Sequence, residues 1–289
     1  MKPVSDVAAG ALSAADTVAR TVPAASLTRR WDPRLYQIAT LACLLIYGVV
    51  RLDLEVQTAT AAVIIATALA TQAICTRLSR RGCFDPRSAL ISALSLCLLL
   101  RTSSLELAML TALVAIASKF VLRVGDKHVF NPTNFALVAM MLATGAVWVS
   151  PGQWGSGVIF AFVLACAGGL VVNRAARADV TLAFLVIWAG ILVARSLWLG
   201  EPLAIPLHRL QNGALVLFAF FMISDPKTTP ASRPGRLLFA ALVAFGTYVV
   251  QFWLFRPNGL LWSLAVCSLA VPVIDRLLPG SRYEWRTSP

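Results

Sequence analysis

Runs of about 20 apolar residues, the length that carries a helix across the hydrocarbon core of a bilayer, recur along almost the whole of this 289-residue chain. The composition agrees with this pattern, because 58% of the residues are hydrophobic and only 13% are charged, with a mean hydropathy of +0.78. In a soluble domain, about a quarter of the residues are charged. We therefore expect an all-α polytopic membrane protein.

The apolar runs predict about ten transmembrane helices. Their expected positions are 35–51, 56–76, 88–101, 103–122, 133–149, 156–173, 181–199, 211–224, 236–255 and 259–278. The third run is short, so its helix is expected to be tilted, broken or only partly inserted. Lys and Arg are concentrated in alternate connections, which places both termini in the cytoplasm and requires an even number of spans.

This pattern divides the chain into three segments. Residues 1–34 are expected to form a cytoplasmic tail, mobile or lying on the membrane surface, residues 35–278 a transmembrane domain, and residues 279–289 a cytoplasmic C-terminal tail. The segment before Trp31 has no compact apolar core of the kind that marks a signal peptide. The net charge of +12 is carried by short loops between apolar runs. We attribute it to orientation in a bacterial cytoplasmic (inner) membrane and expect no nucleic-acid partner.

Polar residues followed by proline mark several connections. Asp85-Pro86, Asn131-Pro132 and Asp225-Pro226 each adjoin an apolar run, where the first residue can cap a helix and the proline can occupy its first turn. The free N–H groups at such a helix start suit an anionic or carbonyl-rich ligand. The recurrence of these pairs, with Pro257-Asn258 nearer the C-terminus, favours an internal repeat of two inverted five-helix halves.

The reactive side chains of the chain disfavour several enzyme classes. His128 and His208 are the only histidines, and no P-loop, Ser-His-Asp arrangement or His-Glu-x-x-His motif is present. A bis-His haem or a His-rich metal site is therefore not expected. The six cysteines form no C-x-x-C pair and are interpreted as small buried hydrophobes. The chain is expected to be at most a redox subunit, without a self-contained catalytic motif.

Three sequence blocks resemble a known family. The stretch Phe130-Asn131-Pro132-Thr133-Asn134 is similar to the FNP signature of the NqrB/RnfD family, the membrane subunits of the sodium-pumping NADH:quinone reductase and of the Rnf ferredoxin:NAD electron-transport complex. Residues 221–230 (FMISDPKTTP) and 270–275 (AVPVID) resemble two further blocks of the family, in the same order. The resemblance implies a ten-helix fold, similar to urea and ammonium transporters. It also implies a membrane-embedded electron-transfer subunit that holds a flavin and works with other redox membrane subunits.

The chain departs from the family pattern at one point. Typical members carry an S/T-G-A-T sequence whose last threonine takes FMN through a phosphoester, and this chain has no such sequence. The stretch Thr144-Gly145-Ala146-Val147 lacks the acceptor threonine and is expected to lie inside the fifth span. Any flavin, FMN or riboflavin, is therefore expected to be held non-covalently.

A flavin requires polar groups along its pyrimidine edge, an apolar slot for its ring system and cations for any phosphate. The residues that we predict to bind it are Lys119, Lys127, Phe130, Asn131, Pro132, Asn134, Asp225, Pro226, Lys227, Thr228 and Thr229. The lysines, with Arg123, are assigned to a phosphate at the cytoplasmic rim. Two alternatives stay open: that Asn131 and Asp225 only cap helices, and that the basic residues only set the orientation in the membrane.

Two other functions also stay open. The missing flavinylation sequence and the scarcity of redox ligands favour a channel or carrier for a small neutral solute on the same fold. A membrane scaffold for a biosynthetic cluster is the further alternative. The lipid bilayer is the first expected partner in each case.

Overall fold

Helices make up most of the chain that the computed structural model describes, namely residues 32–51, 56–79, 84–125, 127–150, 169 and 177–281. The helices, in chain order, are α1 (Pro33–Arg51), α2 (Thr58–Ser79), α3 (Pro86–Leu99), α4 (Leu105–Val121), α5 (Pro132–Thr144), α6 (Ala178–Leu199), α7 (Ala204–Leu210), α8 (Gly213–Leu217), α9 (Arg233–Tyr248), α10 (Gly259–Ser268) and α11 (Val271–Leu277). Two π-helical turns, Phe218–Met222 and Val249–Trp253, extend α8 and α9. The sixth expected span, 156–173, lies outside the described residues except for residue 169, and so do most of the two expected tails.

Several of these helices have the length and composition of membrane spans. By these criteria α2, α6 and the continuous helix Arg233–Trp253 can each cross a bilayer. The pair α10 and α11 forms a fourth span if the two helices, which are bent by 50° at their junction, are taken together. The expectation of an all-α, multi-pass membrane protein is therefore confirmed. The number of ten spans and the inverted repeat stay predictions.

The last expected span, 259–278, is a bent pair of helices and not one straight helix. Helix α10 ends at Ser268, and α11 starts at Val271 with Pro272 in its first turn. A proline has no backbone N–H and clashes with the preceding turn, so it is accommodated at a helix start but not in a helix interior. The hydropathy of the segment gives no sign of this break, whereas Pro272 marks its position.

Small side chains allow the helices to pack closely. Helix α2 packs against α3 and α4, and Ala68, Ala112 and Ala115 are completely buried in this region. Helix α9 packs against α6 and α10, and a Cβ atom at Gly246 would collide with the hydroxyl of Ser263 on α10. Such contacts between small residues are the usual basis of helix association in a membrane, where lipid competes for every apolar surface.

The connections between helices contain two short pairs of antiparallel strands. Strand β1 (Leu100–Arg101) pairs with β4 (Trp148–Val149), so the chain after α3 meets the chain after α5. Strands β2 (Arg123–Val124) and β3 (Lys127–His128) form a hairpin between α4 and α5.

The fifth helix ends earlier than the sequence predicts. The expected span reached residue 149, with Thr144-Gly145 inside it, but α5 ends at Thr144 and Gly145 adopts a left-handed conformation with φ of 62°. The apolar residues that follow belong to β4, whose backbone groups bond to β1. Thr144 therefore lies at the end of a helix, and the prediction that the helix continues to residue 149 is wrong.

Candidate functional site

A cavity of about 280 Å³ opens among the helix ends where most of the basic connections meet. Its charged and polar lining includes Arg34, Asp85, Lys119, Arg123, His128, Asn131, Asp225 and Lys227. We call it the basic cavity. These residues come from the start of α1, the end of α4 and the connections between α2 and α3, α4 and α5, and α8 and α9. The charge pattern assigns these connections to one side of the membrane.

Lys119 supplies a buried positive charge to this cavity. It lies in the last turn of α4 and is only 5% exposed. Its Nζ donates hydrogen bonds to the backbone oxygen and the Oγ of Ser88, at 2.7 and 3.1 Å. Both acceptors are neutral, and within the described ranges no carboxylate contacts the ammonium group. The amino group has a third donor position, which can bind a polar or anionic ligand nearby.

An ion pair stands beside the same helix end. Asp85 caps α3 by accepting a hydrogen bond from the backbone N–H of Arg87 at 3.2 Å, and its other oxygen contacts the guanidinium of Arg34. Pro86 occupies the first turn of α3, as the Asp-Pro pair predicted. The pair joins the start of α1 to the start of α3 at the rim of the cavity.

Asn131 has a structural role and also lines the cavity. Its Oδ1 accepts a hydrogen bond from the backbone N–H of Asn134 at 3.1 Å and so caps α5, with Pro132 as the first helical residue. Its Nδ2 donates to the backbone oxygen of Met222 at 3.4 Å. The interpretation of Asn131 as a helix cap is therefore confirmed, and the same residue links α5 to the π-helical turn that precedes Asp225.

Asp225 organises a turn and does not start a helix. Its Oδ1 accepts a hydrogen bond from the backbone N–H of Lys227 at 3.0 Å, and its backbone oxygen accepts from the N–H groups of Thr228 and Thr229. The next helix begins only at Arg233, where Ser232 is the cap. The prediction that Asp225-Pro226 opens a helix is thus wrong. Burial raises the pKa of the Asp225 carboxyl, while the Lys227 backbone hydrogen bond and the surrounding cations act in the opposite direction.

His128 belongs to the cavity although the sequence gave it no binding role. Burial, together with the positive charges of Lys119, Arg123 and Lys227, lowers its pKa to about 3. Its Nδ1 is buried and has no hydrogen-bond partner among the residues that the structure describes. The imidazole is therefore neutral at physiological pH, and it is a polar group rather than a cation of the site.

The structure places six of the predicted binding residues in the lining of the basic cavity. They are Lys119, Asn131, Pro132, Asp225, Pro226 and Lys227. The remaining five, Lys127, Phe130, Asn134, Thr228 and Thr229, lie outside that lining.

Two of the residues outside the lining, Lys127 and Thr229, belong to a polar network next to the turn that follows Asp225. Lys127 Nζ contacts Asp275 Oδ2 at 2.6 Å and the backbone oxygen of Thr229 at 2.8 Å. The hydroxyl of Thr229 accepts a hydrogen bond from Arg177 at 3.2 Å. Asp275 Oδ1 also accepts from the backbone N–H of Ala231 at 2.7 Å. These contacts join β3, the turn after Asp225 and the last helix.

The other three residues pack into the interior. Phe130 lies against Phe135, with ring centroids 5.0 Å apart. Asn134 is 1% exposed and donates to the backbone oxygen of Leu261 at 3.1 Å. Thr228 is buried and donates from its hydroxyl to the backbone oxygen of Asp225 at 3.3 Å.

Sequence reasoning also missed a row of neutral polar residues in the cavity. Ser88, Ser92 and Ser95 all line it, and their spacing of four and three residues puts them on one face of α3. Gln72 and Thr76 of α2 line it as well. The signal was present in the sequence, because these serines recur at helical spacing inside an apolar run.

A second and smaller cavity, of about 140 Å³, lies toward the opposite ends of the helices. It is lined by Leu99 at the end of α3, by Arg209 and by Asn258, and Met222 lines both cavities. In the part of the chain that the structure describes, no group of three or more His, Cys, Asp and Glu side chains is arranged to hold a metal ion.

Comparisons with known proteins identify the family of the chain. The family model described as "NQR2, RnfD, RnfE family" matches residues 134–284. The chain is also similar to proteins that are named as a subunit of an ion-translocating oxidoreductase complex. The one from Escherichia coli O1:K1 / APEC is 37% identical over 113 residues, which covers 38% of this chain and 32% of the relative.

Further relatives with the same name give similar values. The protein of Escherichia coli O7:K1 (strain IAI39 / ExPEC) is 35% identical over 146 residues, or 49% of this chain and 38% of the relative. That of Escherichia coli (strain K12) is 34% identical over 111 residues, or 38% and 32%. The matched part of the chain thus spans about a third of the length of these curated relatives.

Proposed function

Since the chain belongs to the NQR2, RnfD, RnfE family, we propose that it is a membrane-embedded electron-transfer subunit of an oxidoreductase complex, and that it binds a flavin non-covalently in the basic cavity. The observation that supports the site is the position of the family blocks. Asn131-Pro132 and Asp225-Pro226 are distant in sequence, yet both line one cavity beside the buried cation Lys119.

The lining of the cavity meets the chemical requirements of a flavin. Phe120, Phe220 and Phe221 offer apolar surface to a ring system. Neutral side chains such as Asn131 and Ser92 can hydrogen-bond to its polar edge, and Lys119 and Lys227 can meet negative charge. The volume of about 280 Å³ lies just below the usual range for ligand pockets, roughly 300–1,000 Å³. The cavity would therefore hold the ring system, with the ribityl chain or phosphate at its mouth.

The chain itself contributes positioning and electrostatics to this function. A bound flavin would supply the electron carrier that the side chains of the protein lack. Lys119 is held in place by Ser88, so its charge is fixed at the cavity wall and would stabilise negative charge on a ligand. Asn131 caps the start of α5, and with Pro132 and Thr133 of that start it lines the same cavity.

The assembly and the membrane orientation belong to the same proposal. The chain would work with other redox membrane subunits in the bacterial cytoplasmic membrane, with both termini in the cytoplasm. The name of its relatives supports the assembly, and the meeting of the basic connections around one cavity supports the orientation.

The proposal is tested by the absorption and fluorescence of the full chain purified in detergent, measured before and after acid precipitation. We expect the visible absorption of an oxidised flavin in the protein, and free flavin in the supernatant after precipitation. Flavin that remains in the washed precipitate would contradict non-covalent binding. A colourless protein that fails to bind added riboflavin or FMN would contradict the flavin site altogether and would favour the channel or scaffold alternatives.

A further inference from the structure

Gln72 is a buried amide in a membrane helix, and its side-chain oxygen lacks a hydrogen-bond partner in the described part of the chain. It lies in α2, a helix long and apolar enough to span a bilayer, and is 7% exposed. Its Oε1 accepts no hydrogen bond from any residue whose position the structure gives. The side chain lines the basic cavity. A buried polar group without a partner is unfavourable, and in a membrane it usually marks a functional position.

Neutral polar residues line the cavity at a depth similar to that of Gln72. Ser92 and Ser95 line the same cavity from α3, and Thr133 lines it from the first turn of α5. Ser95 lies ten residues after Asp85, which corresponds to a depth of about 15 Å along the helix. Gln72 lies seven residues before the end of α2, at a similar depth of about 10 Å.

The charged residues lie at the other end of the cavity. Arg34 and Asp85 form their ion pair at the helix starts, and Lys119 bonds to Ser88, three residues into the chain after Asp85. The cavity therefore has a charged mouth and a neutral, hydrogen-bonding inner end. A ligand that matches it carries its charge at one end and a neutral polar edge at the other.

We propose that Gln72 binds the imide edge of a flavin ring, and that the ring enters the cavity with this edge inward. This inference rests on the proposed function. A primary amide presents one acceptor oxygen and an N–H donor, and the two can be exchanged by rotating the group. An imide presents an N–H donor flanked by carbonyl acceptors. The two groups can therefore form a pair of parallel hydrogen bonds, as Gln does with the edge of an adenine base.

The same geometry distinguishes a flavin from a quinone. A quinone offers carbonyl oxygens but no N–H group, so it would leave the Oε1 of Gln72 without a donor. The inner end of the cavity would then keep an unsatisfied buried acceptor, which lowers affinity. Gln72 is thus assigned a role in ligand specificity, and Lys119 and Lys227 would meet the ribityl or phosphate end at the mouth.

The inference is tested with riboflavin and N3-methylriboflavin, in which a methyl group replaces the imide proton. Binding of each to the detergent-solubilised full chain is followed by quenching of flavin fluorescence. We expect N3-methylriboflavin to bind the wild-type protein at least tenfold more weakly. In Gln72→Leu, riboflavin should bind about tenfold more weakly, and the preference for riboflavin over its methylated form should disappear.

A matched control is available at the other end of the same helix. Gln57 immediately precedes α2, is exposed and lies outside the basic cavity. Gln57→Leu should bind both ligands as the wild type does. Equal affinities of the wild type for both flavins would overturn the inference and leave the proposed function standing, even if Gln72→Leu fails to fold. Absence of binding of either flavin to the wild type would overturn both.

Discussion

Lys119 and Lys127 are eight residues apart, and the sequence assigned both to the same phosphate, but the structure gives them different surroundings. The ammonium group of Lys119 bonds to two neutral oxygens of Ser88 inside the basic cavity. That of Lys127 bonds to the carboxylate of Asp275 and to a backbone oxygen, outside the cavity lining. A lysine whose charge is already compensated by a carboxylate attracts a further anion only weakly. The partner of a basic residue, more than its charge, therefore decides whether it can bind a ligand.

The two lysines also differ in what they hold together. The pair formed by Lys127 and Asp275 connects the β2–β3 hairpin to α11, and Asp275 additionally binds the backbone of Ala231. These contacts fix the turn that carries Asp225. The side chain of Lys119 donates its hydrogen bonds, as far as the described residues show, to Ser88 in the first turn of α3. We therefore expect substitutions at the two positions to separate ligand binding from stability.

Lys119→Met should have the largest effect on ligand binding. FMN affinity should fall about 100-fold, because a charge-assisted hydrogen bond contributes up to about 3 kcal/mol and the buried site offers few substitutes. Lys127→Met should change FMN affinity by less than about threefold, since that lysine does not line the cavity. Fluorescence titration of both variants measures this difference. Equal losses in the two variants would refute the distinction between the lysines.

Asp275→Asn should have its main effect on stability. The substitution leaves Lys127 without its carboxylate, which we expect to cost about 2 kcal/mol for a pair that is mostly but not fully buried. This corresponds to a melting temperature in detergent lower by about 5 °C. Flavin affinity, measured well below the melting temperature, should stay as in the wild type. A large loss of affinity without a loss of stability would place Asp275 in the binding site instead.

The smallest expected effect is a dependence of stability on pH that comes from His128. Its pKa is about 3 in the folded protein and about 6.5 in an unfolded chain, so below pH 6.5 the unfolded chain takes up a proton that the folded protein does not. Stability should therefore fall by about 1 kcal/mol between pH 6.5 and 5.5.

His128→Gln provides the control for this pH dependence. The raised pKa of Asp225 acts in the opposite direction, because the folded protein then binds a proton more readily than the unfolded chain. The comparison of wild type and His128→Gln isolates the contribution of the histidine. Melting temperatures at pH 6.5 and 5.5 should differ less in the variant. An equal or larger difference would show that His128 is not held neutral.

Local sequence signals predicted some elements of the site and failed at others for physical reasons. The Asn131-Pro132 pair was interpreted correctly as a helix start, because a cap depends on hydrogen bonds within one turn. The similar pair Asp225-Pro226 was not. There, the backbone of Thr228 and Thr229 folds back onto Asp225, and Lys127 and Arg177 hold Thr229 from outside the segment. Such tertiary contacts cannot be deduced from a dipeptide.

The composition of the chain was a good guide to its class but a poor guide to the inner end of the cavity. Apolar runs indicated the membrane helices α2, α6 and α9, because hydropathy is a property of the segment alone. Gln72 lies inside one of these runs. Its position in the cavity depends on the packing of α2 against α3, whose Ser92 and Ser95 line the same cavity. The end of α5 was missed for a comparable reason, since its partner strand lies far away in sequence.

The π-helical turn Phe218–Met222 also sets the number of residues between the membrane core and Asp225. A π turn closes its hydrogen bond over five residues instead of four, and Ile223 here donates to the backbone oxygen of Phe218 at 3.1 Å. The backbone oxygens of Ala219 and Met222 receive hydrogen bonds from Thr181 and Asn131. Removing one residue would restore an α turn and rotate the following chain by about 100° around the helix axis. A one-residue deletion in this turn would therefore change the direction of the following backbone, and side-chain rearrangements could not compensate for it.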